Sequence, residues 1–293
     1  MKSIDLERDP IWKIYEGLAH ESEHSVLNYT KQSRRFRASE IAGCRRKIWY
    51  RLGGFVPLPK YPWLEMVGAA VDLGHDYFRY LANHYEMGLG GITFDKATGK
   101  QEEIDNAWCD YDFNGQNFTL SCRPDGSMLL PEVPTDAVLE VKTVTSFAFD
   151  KAERAWKKGG NQGVIDHYLA EKPNFLWQGN QSAMILKKTH IYLLVIDRNL
   201  NRIGFGTEGF GKKHGWEPLA GKRAGGCVWE LEESDKENIL YKAASITEAL
   251  NGDVPPPAPE FLASSNECGQ CDFFIYCHGK KKKMEYPIPG VVS

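Results

Sequence analysis

The sequence lacks several features that would place the protein in a simple class. It has no apolar run long enough to cross a membrane, and its first residues, MKSIDLERDPIWK, lack the apolar core of a secretory signal. It also has no internal repeat and no long low-complexity linker. We therefore expect one domain spanning residues 1–293, located in the cytoplasm and not bound to a membrane.

The sequence also lacks an excess of positive charge. Its 36 Lys and Arg against 39 Asp and Glu give a net charge of −3, which argues against a protein that coats nucleic acid indiscriminately. A local basic surface is still compatible with this sum, because basic residues concentrate in RRFRASEIAGCRRKIWYR, residues 34–51. A second basic run, residues 280–283, is interpreted as solvated surface.

Cysteine is scarce and unevenly distributed. There are seven cysteines, an odd number, and three of them, Cys268, Cys271 and Cys277, lie within ECGQCDFFIYC. In a reducing compartment such a group favours metal ligation over disulfides. Three thiolates leave a four-ligand site one ligand short. The cysteines at 109, 122 and 227 are predicted to be small buried hydrophobic residues.

The periodicity of apolar residues predicts an α/β order. The predicted helices cover residues 39–52 (capped by Ser39), 61–91, 147–158, 174–188 and 233–250. Three β-rich runs, 102–113, 116–130 and 137–147, predict an antiparallel meander, and HIYLLVID and NRIGFGTEGF predict two later strands. This order predicts a mixed sheet flanked by helices.

The most informative stretch is RPDGSMLLPEVPTDAVLEVKTV, residues 123–144. Asp125 ends one β-run at a turn, and Glu140 and Lys142 share one face of the next strand. If these strands pair as a hairpin, the three polar groups converge. Two carboxylates suit Mg²⁺ or Mn²⁺, and a lysine can orient or help to deprotonate a metal-bound water. The alternative is a surface Glu–Lys pair on an edge strand and a turn aspartate.

PDG followed by LEVKT resembles the PD-(D/E)xK nuclease superfamily, in which the aspartate and glutamate hold the metal and the lysine serves the attacking water. The run from KTVTSFAF through KPNFLWQGNQSAMILKKTHIYLLVID resembles the RecB-type branch of that superfamily, where the next helix carries a glutamine. The resemblance implies that Gln178 is this glutamine, with Gln181 as a second candidate. Asn180 also fits the pattern, whereas Ser182 stands where a tyrosine is usual.

The same branch places a histidine on the preceding helix as an additional metal ligand, four residues after a glycine. Here His75 follows Gly74 directly, and Phe78 occupies the position four residues after it. The resemblance implies His75 as this ligand in a shifted register. The alternative is a structural helical histidine.

The resemblance also implies the missing cysteine ligand. In CRISPR-adaptation nucleases and phage relatives of this branch, an N-terminal cysteine joins three C-terminal ones around a [4Fe–4S] cluster. Cys44, followed by arginines and an aromatic residue, fits that element, so the implied ligands are Cys44, Cys268, Cys271 and Cys277. Zinc is the rival metal, since four thiolates also bind zinc, and His278 could replace one ligand.

In this interpretation, residues 36–51 and 262–283 form a cluster-binding cap on a catalytic core at 65–210. The cap would bring a basic surface, Arg45, Arg46 and Lys47, to the DNA backbone.

The resemblance implies a restriction-endonuclease-like core and a Mg²⁺- or Mn²⁺-dependent deoxyribonuclease. The expected activity is that of an exonuclease on DNA ends or single strands, in recombination or processing in a prokaryote or a phage-infected cell. It could work as a homo-oligomer or with a processing partner. One alternative is a DNA-binding or adaptor protein on the same fold with little or no cleavage. Another is a zinc-stabilised enzyme acting on something other than nucleic acid.

Overall fold

Two main β-sheets and a helix shared between them organise the chain. The computed structural model describes residues 35–55, 57, 92–94, 101–103, 106–128, 137–197, 224–252, 254, 257–261, 266–269 and 271–279. The strands are β1 Phe36–Arg37, β2 Ile92–Phe94, β3 Gln101–Glu103, β4 Ala107–Phe113, β5 Gln116–Cys122, β6 Gly126–Met128, β7 Ala137–Val144, β8 His190–Asp197 and β9 Ala224–Glu230. The helices are α1 Arg45–Leu52, α2 Ser146–Glu171, α3 Pro173–Leu186, α4 Glu233–Asn251, α5 Asn266–Gly269 and α6 Phe274–His278.

The larger sheet has the strand order β6-β7-β8-β9 and is mixed. The β6–β7 and β8–β9 pairs are antiparallel, and the β7–β8 pair is parallel. A parallel pair needs a long crossover, which α2 and α3 provide. Both central strands are buried along nearly their whole length, as expected for strands with neighbours on both sides. The predicted mixed α/β architecture and the strand HIYLLVID are confirmed.

The smaller sheet has the order β1-β5-β4. Asn114 and Gly115, with φ of 52° and 74°, form the turn between β4 and β5. Positive φ at both positions is what a two-residue hairpin turn requires, and Asn-Gly satisfies it. The predicted single meander is wrong, because the run 116–130 divides between β5 of this sheet and β6 of the larger one. Pro124 lies at the division, and its missing N–H cannot continue a strand ladder.

Helix α2 reverses direction at Gly160, which has φ 60° and ψ −141°. Lys151 Nζ lies 3.5 Å from the Glu171 carboxylate. In a straight helix these residues would be about 30 Å apart, so α2 consists of two arms folded against each other. The predicted helix at 147–158 corresponds to the first arm.

Helix α3 lies between the two sheets. On one side, Gln181 Nε2 donates to the carbonyl oxygens of Phe36 and Ser121, both at 2.9 Å. On the other, Gly179 approaches β8 so closely that a Cβ there would lie 2.6 Å from Ile191 Cγ2. The predicted helix at 174–188 is confirmed, and it ends at Leu186. The helix therefore fixes the smaller sheet against the larger one.

The predicted charged helix at 233–250 is confirmed and corresponds to α4. It begins with a capping box between Glu232 and Asp235 and ends at Gly252 in the left-handed conformation. Its apolar side, including Ile239 and Ile246, joins a core shared with β1, β5 and α1.

Helix α1 starts later than predicted. It begins at Arg45 with Cys44 at the N-cap, and Ser39 does not cap it. The Ala38 N–H donates to the Ser121 carbonyl at 2.9 Å, which extends the β1–β5 pairing up to the residue before the predicted helix. The Ile41 N–H then donates to the Arg37 carbonyl at 3.1 Å, which forms a turn across the predicted start. The predicted helix at 61–91 and the predicted strand at 201–210 lie outside the described residues. No helix among the described residues is long and apolar enough to cross a membrane.

Candidate active site

The β6–β7 hairpin brings together the two carboxylates predicted to act together. Gly126 pairs with Leu139, so Asp125 lies opposite Glu140 one position further along. Asp125 Oδ2 accepts a hydrogen bond from the Val141 backbone N–H at 2.8 Å, which holds its carboxylate over β7. The predicted hairpin is confirmed.

Glu140 is fully buried on a central strand of the larger sheet. The alternative of a surface Glu–Lys pair on an edge strand is therefore wrong. Its Oε1 accepts a hydrogen bond from Lys142 Nζ, whereas its Oε2 is buried without a hydrogen-bond partner among the residues that the structure describes. Burial raises the pKa of Glu140 to about 8; Asp125 adds to this shift and Lys142 opposes it. A carboxylate in this environment needs a cation in addition to Lys142 to stay ionised at neutral pH.

Lys142 connects the buried carboxylate to helix α3. Its Nζ also donates to Gln178 Oε1 at 3.0 Å. Lys142 lies on the same face of β7 as Glu140, as strand alternation predicts, and its side chain is 16% exposed. The Lys142 side chain is therefore partly open to solvent.

The structure separates the two glutamine candidates. Gln178 contacts Lys142, whereas Gln181 is buried and bonded to the backbone of the smaller sheet. Asn180 accepts a hydrogen bond from Trp229 Nε1 at 2.7 Å, and Ser182 is buried beside the Cys122 thiol. Gln178 is therefore the amide of this helix that joins the Asp125–Glu140–Lys142 group.

Phe175 is a neighbour of the site that no sequence pattern singled out. Its ring centroid lies 5.6 Å from Lys142 Nζ. It precedes Gln178 by three residues on α3, so both side chains lie on one side of the helix. That spacing within NFLWQ is the signal that could have found it. At this distance the ring attracts the ammonium group through a cation–π interaction.

The segments that carry the predicted cluster ligands contact each other. Tyr50 of α1 donates from its hydroxyl to the Tyr276 carbonyl at 2.9 Å, and its ring stacks on Phe273 at 5.7 Å. Lys47 forms an ion pair with Asp272 at 3.8 Å. Residues at both ends of the described chain are thus packed together.

The four predicted cluster cysteines are free thiols. Burial raises the pKa of Cys277, with further contributions from nearby Cys271 and Cys44, and Arg46 opposes the shift. Cys268 is buried, with its Sγ 3.6 Å from the Phe261 carbonyl oxygen.

Among the residues that the structure describes, no group of three or more His, Cys, Asp and Glu is arranged to hold a metal ion. The four thiols suit an iron–sulfur cluster or zinc by their chemistry. Asp125 and Glu140 give two oxygen-bearing side chains, and His75, the third predicted ligand, lies outside the described residues.

The basic residues predicted to bind DNA all have partners within the protein. Arg45 pairs with Glu260 at 3.2 Å, Lys47 pairs with Asp272, and Arg46 Nε donates to the Tyr50 hydroxyl at 3.2 Å. They lie beside the cysteine-bearing segments.

The other cysteines behave largely as predicted. Cys122 and Cys227 are buried, and Cys109 is half-buried on β4.

No protein-family model matches the chain, and no curated protein matches it. One solved structure, described as "Crystal structure of SSO0001", is similar to it with a TM-score of 0.46 and 14% identity. That similarity covers 90% of this chain and 96% of the other. At this level it assigns neither a family nor a function to this chain.

Proposed function

We propose that the protein is a metal-dependent deoxyribonuclease of the PD-(D/E)xK type, RecB-like branch, with a restriction-endonuclease-like core. It would act on DNA ends or single strands as an exonuclease in the cytoplasm of a prokaryote or a phage-infected cell. The observation that carries the proposal is the convergence of Asp125, Glu140, Lys142 and Gln178 from three separate elements.

The carboxylates fit a hard divalent cation. Glu140 Oε2 is buried without a hydrogen-bond partner in the described residues, and Asp125 lies beside it. These two side chains would hold Mg²⁺ or Mn²⁺, with His75 as a further proposed ligand. When bound, the ion would offset the buried negative charge and polarise a phosphate oxygen.

Lys142 and Gln178 carry the remaining chemistry. Lys142 Nζ is held between Glu140 Oε1 and Gln178 Oε1, so the ammonium cannot swing freely. It can donate to an attacking water or to a phosphate oxygen, and its charge offsets the negative charge that develops on phosphorus. Gln178 acts through Lys142 as a positioning residue.

A second part of the proposal is a cysteine-bound metal centre that joins residues 36–51 to residues 262–283 in one domain. Its ligands would be Cys44, Cys268, Cys271 and Cys277, holding a [4Fe–4S] cluster, with zinc as the rival. Two observations support it. Helix α1 contacts α6, and the Cys277 thiol lies close enough to Cys271 and Cys44 for them to raise its pKa. In this arrangement Arg45, Arg46 and Lys47 would exchange their present partners for DNA phosphates.

The test is an incubation of the purified, metal-loaded protein with single-stranded and duplex DNA, each labelled at either end. We expect cleavage with Mg²⁺ or Mn²⁺, none with EDTA, and none with Asp125→Asn protein. If wild-type protein binds the DNA but leaves it intact with both metals, the protein is instead a DNA-binding or adaptor protein. Cleavage that persists in Asp125→Asn protein would place the active site elsewhere.

A further inference from the structure

A large aromatic side chain is exposed at the start of α2. Phe147 is 67% exposed, more than the other exposed large hydrophobic residues of the described chain. Lys151 lies one helical turn further on, with its Nζ 5.2 Å from the Phe147 ring centroid. Exposing a phenylalanine to water is unfavourable, and the proposed chemistry does not use this ring.

Phe147 lies at the start of the helix that directly follows β7, the strand of Glu140 and Lys142. It follows Lys142 by five residues, which limits the separation of their Cα atoms to about 17 Å. Thr145 caps the helix by accepting from the Ala148 N–H, and Ser146 Oγ donates to Asp197 Oδ1 at 2.9 Å. These contacts fix the start of α2 at the ends of β7 and β8. The ring is therefore presented from a rigid position.

Cationic side chains continue along the same face of the helix. Phe147, Lys151, Arg154 and Lys158 recur at spacings of four, three and four residues, and Arg154 and Lys158 are exposed. Lys151 also lies 3.5 Å from Glu171 in a surface ion pair, which is weak enough to exchange for a phosphate contact. An exposed ring followed by a row of cations matches how proteins hold single strands. Bases stack on the ring and phosphates contact the cations.

We propose that Phe147 is a stacking platform for an unpaired base of single-stranded DNA, with the Lys151–Arg154–Lys158 row contacting the strand's phosphates. The proposal rests on the proposed nuclease function and names its substrate class. A paired base is already stacked on both faces and cannot use the ring. The platform therefore makes the site prefer single strands or unpaired ends over intact duplex.

The test is equilibrium binding by fluorescence anisotropy in EDTA, so that no cleavage occurs. The probes are a fluorescein-labelled oligothymidylate of about 15 nucleotides and a blunt duplex of the same length. We expect Phe147→Ala to weaken oligothymidylate binding about tenfold and to leave duplex binding unchanged. Phe147→Trp should restore binding, and Phe147→Leu should not, since leucine is apolar without a π face.

Tyr241→Ala is the matched control, because Tyr241 is a similarly exposed aromatic residue, 61% exposed, on α4. It should leave both affinities at the wild-type value. Equal oligothymidylate affinity for Phe147→Ala and wild-type protein overturns the proposal, as does full rescue by Phe147→Leu. If wild-type protein cleaves DNA but Phe147→Ala changes nothing, only the platform is wrong. If oligothymidylate binding depends on Phe147 but no cleavage occurs, the platform stands and the nuclease function fails.

Discussion

Replacing Glu140 by glutamine should stabilise the metal-free protein at alkaline pH. Glu140 is fully buried, and its pKa is raised to about 8 from an ordinary value of 4.5, first of all by burial. An ionised carboxylate there loses its water shell, and only Oε1 is compensated, by Lys142. Glutamine has nearly the same shape and carries no charge, so it removes this penalty.

The sign and size of this stability effect follow from proton linkage. Because the pKa is higher in the folded state, the folded protein keeps a proton that the unfolded chain releases between pH 4.5 and about 8. The free energy of unfolding of wild-type protein should therefore fall as pH rises through this window, by up to about 1.4 kcal/mol per pH unit. Across the 3.5 pH units that separate 4.5 from 8 this amounts to about 5 kcal/mol as an upper bound, which water entry would lower.

The assay is urea denaturation in EDTA at several pH values from 5 to 9. The stability of Glu140→Gln relative to wild type should rise through the window and level off above pH 8. Glu237→Gln is the matched control, since Glu237 is exposed on α4, and it should run parallel to wild type. If Glu140→Gln also runs parallel to wild type, the buried-charge reasoning is refuted.

Three further predictions concern catalysis, packing and the cysteines. In single-turnover assays, Lys142→Met should lower the cleavage rate about 100-fold or more, and Gln178→Ala should lower it about tenfold. Both variants should bind DNA with nearly unchanged affinity. Equal effects on cleavage rate and DNA affinity would contradict these roles. Gly179→Ala should destabilise the protein by about 1–3 kcal/mol in urea denaturation, because its Cβ would lie 2.6 Å from a β8 side chain. Gly159→Ala, whose Cβ would meet nothing within 4 Å, is its control and should be neutral or stabilising. Cys44→Ala should lose bound iron or zinc in a metal assay of anaerobically purified protein; full metal content would rule out Cys44 as a ligand.

The geometry of the carboxylate–lysine group was predictable because local rules determine it. Alternation along a strand places Glu140 and Lys142 on one face, and a short hairpin brings Asp125 opposite. The burial of Glu140 depends instead on β8, whose Leu193 pairs with it from 53 positions later in the chain. No local pattern contains that information.

Two further differences also depend on contacts that are remote in sequence. The residues just before the predicted start of α1 belong to a strand pairing, since Ala38 bonds to Ser121, which is remote in sequence. The choice between Gln178 and Gln181 depends on α3 lying between two sheets, so that neighbouring amides reach different partners. The division of the predicted meander into two sheets was locally signalled by Pro124, a residue that interrupts strand ladders.

The central claim is that Asp125 and Glu140 hold a divalent metal that Lys142 assists in cutting DNA. It is tested most directly by single-turnover cleavage of end-labelled single-stranded DNA with Mn²⁺, comparing wild-type protein with Lys142→Met at saturating protein. We expect wild-type protein to shorten the labelled strand, and the variant to bind it equally well while cutting it about 100-fold or more slowly. Equal cleavage by both proteins, or no cleavage by wild-type protein that binds the strand, would contradict the account.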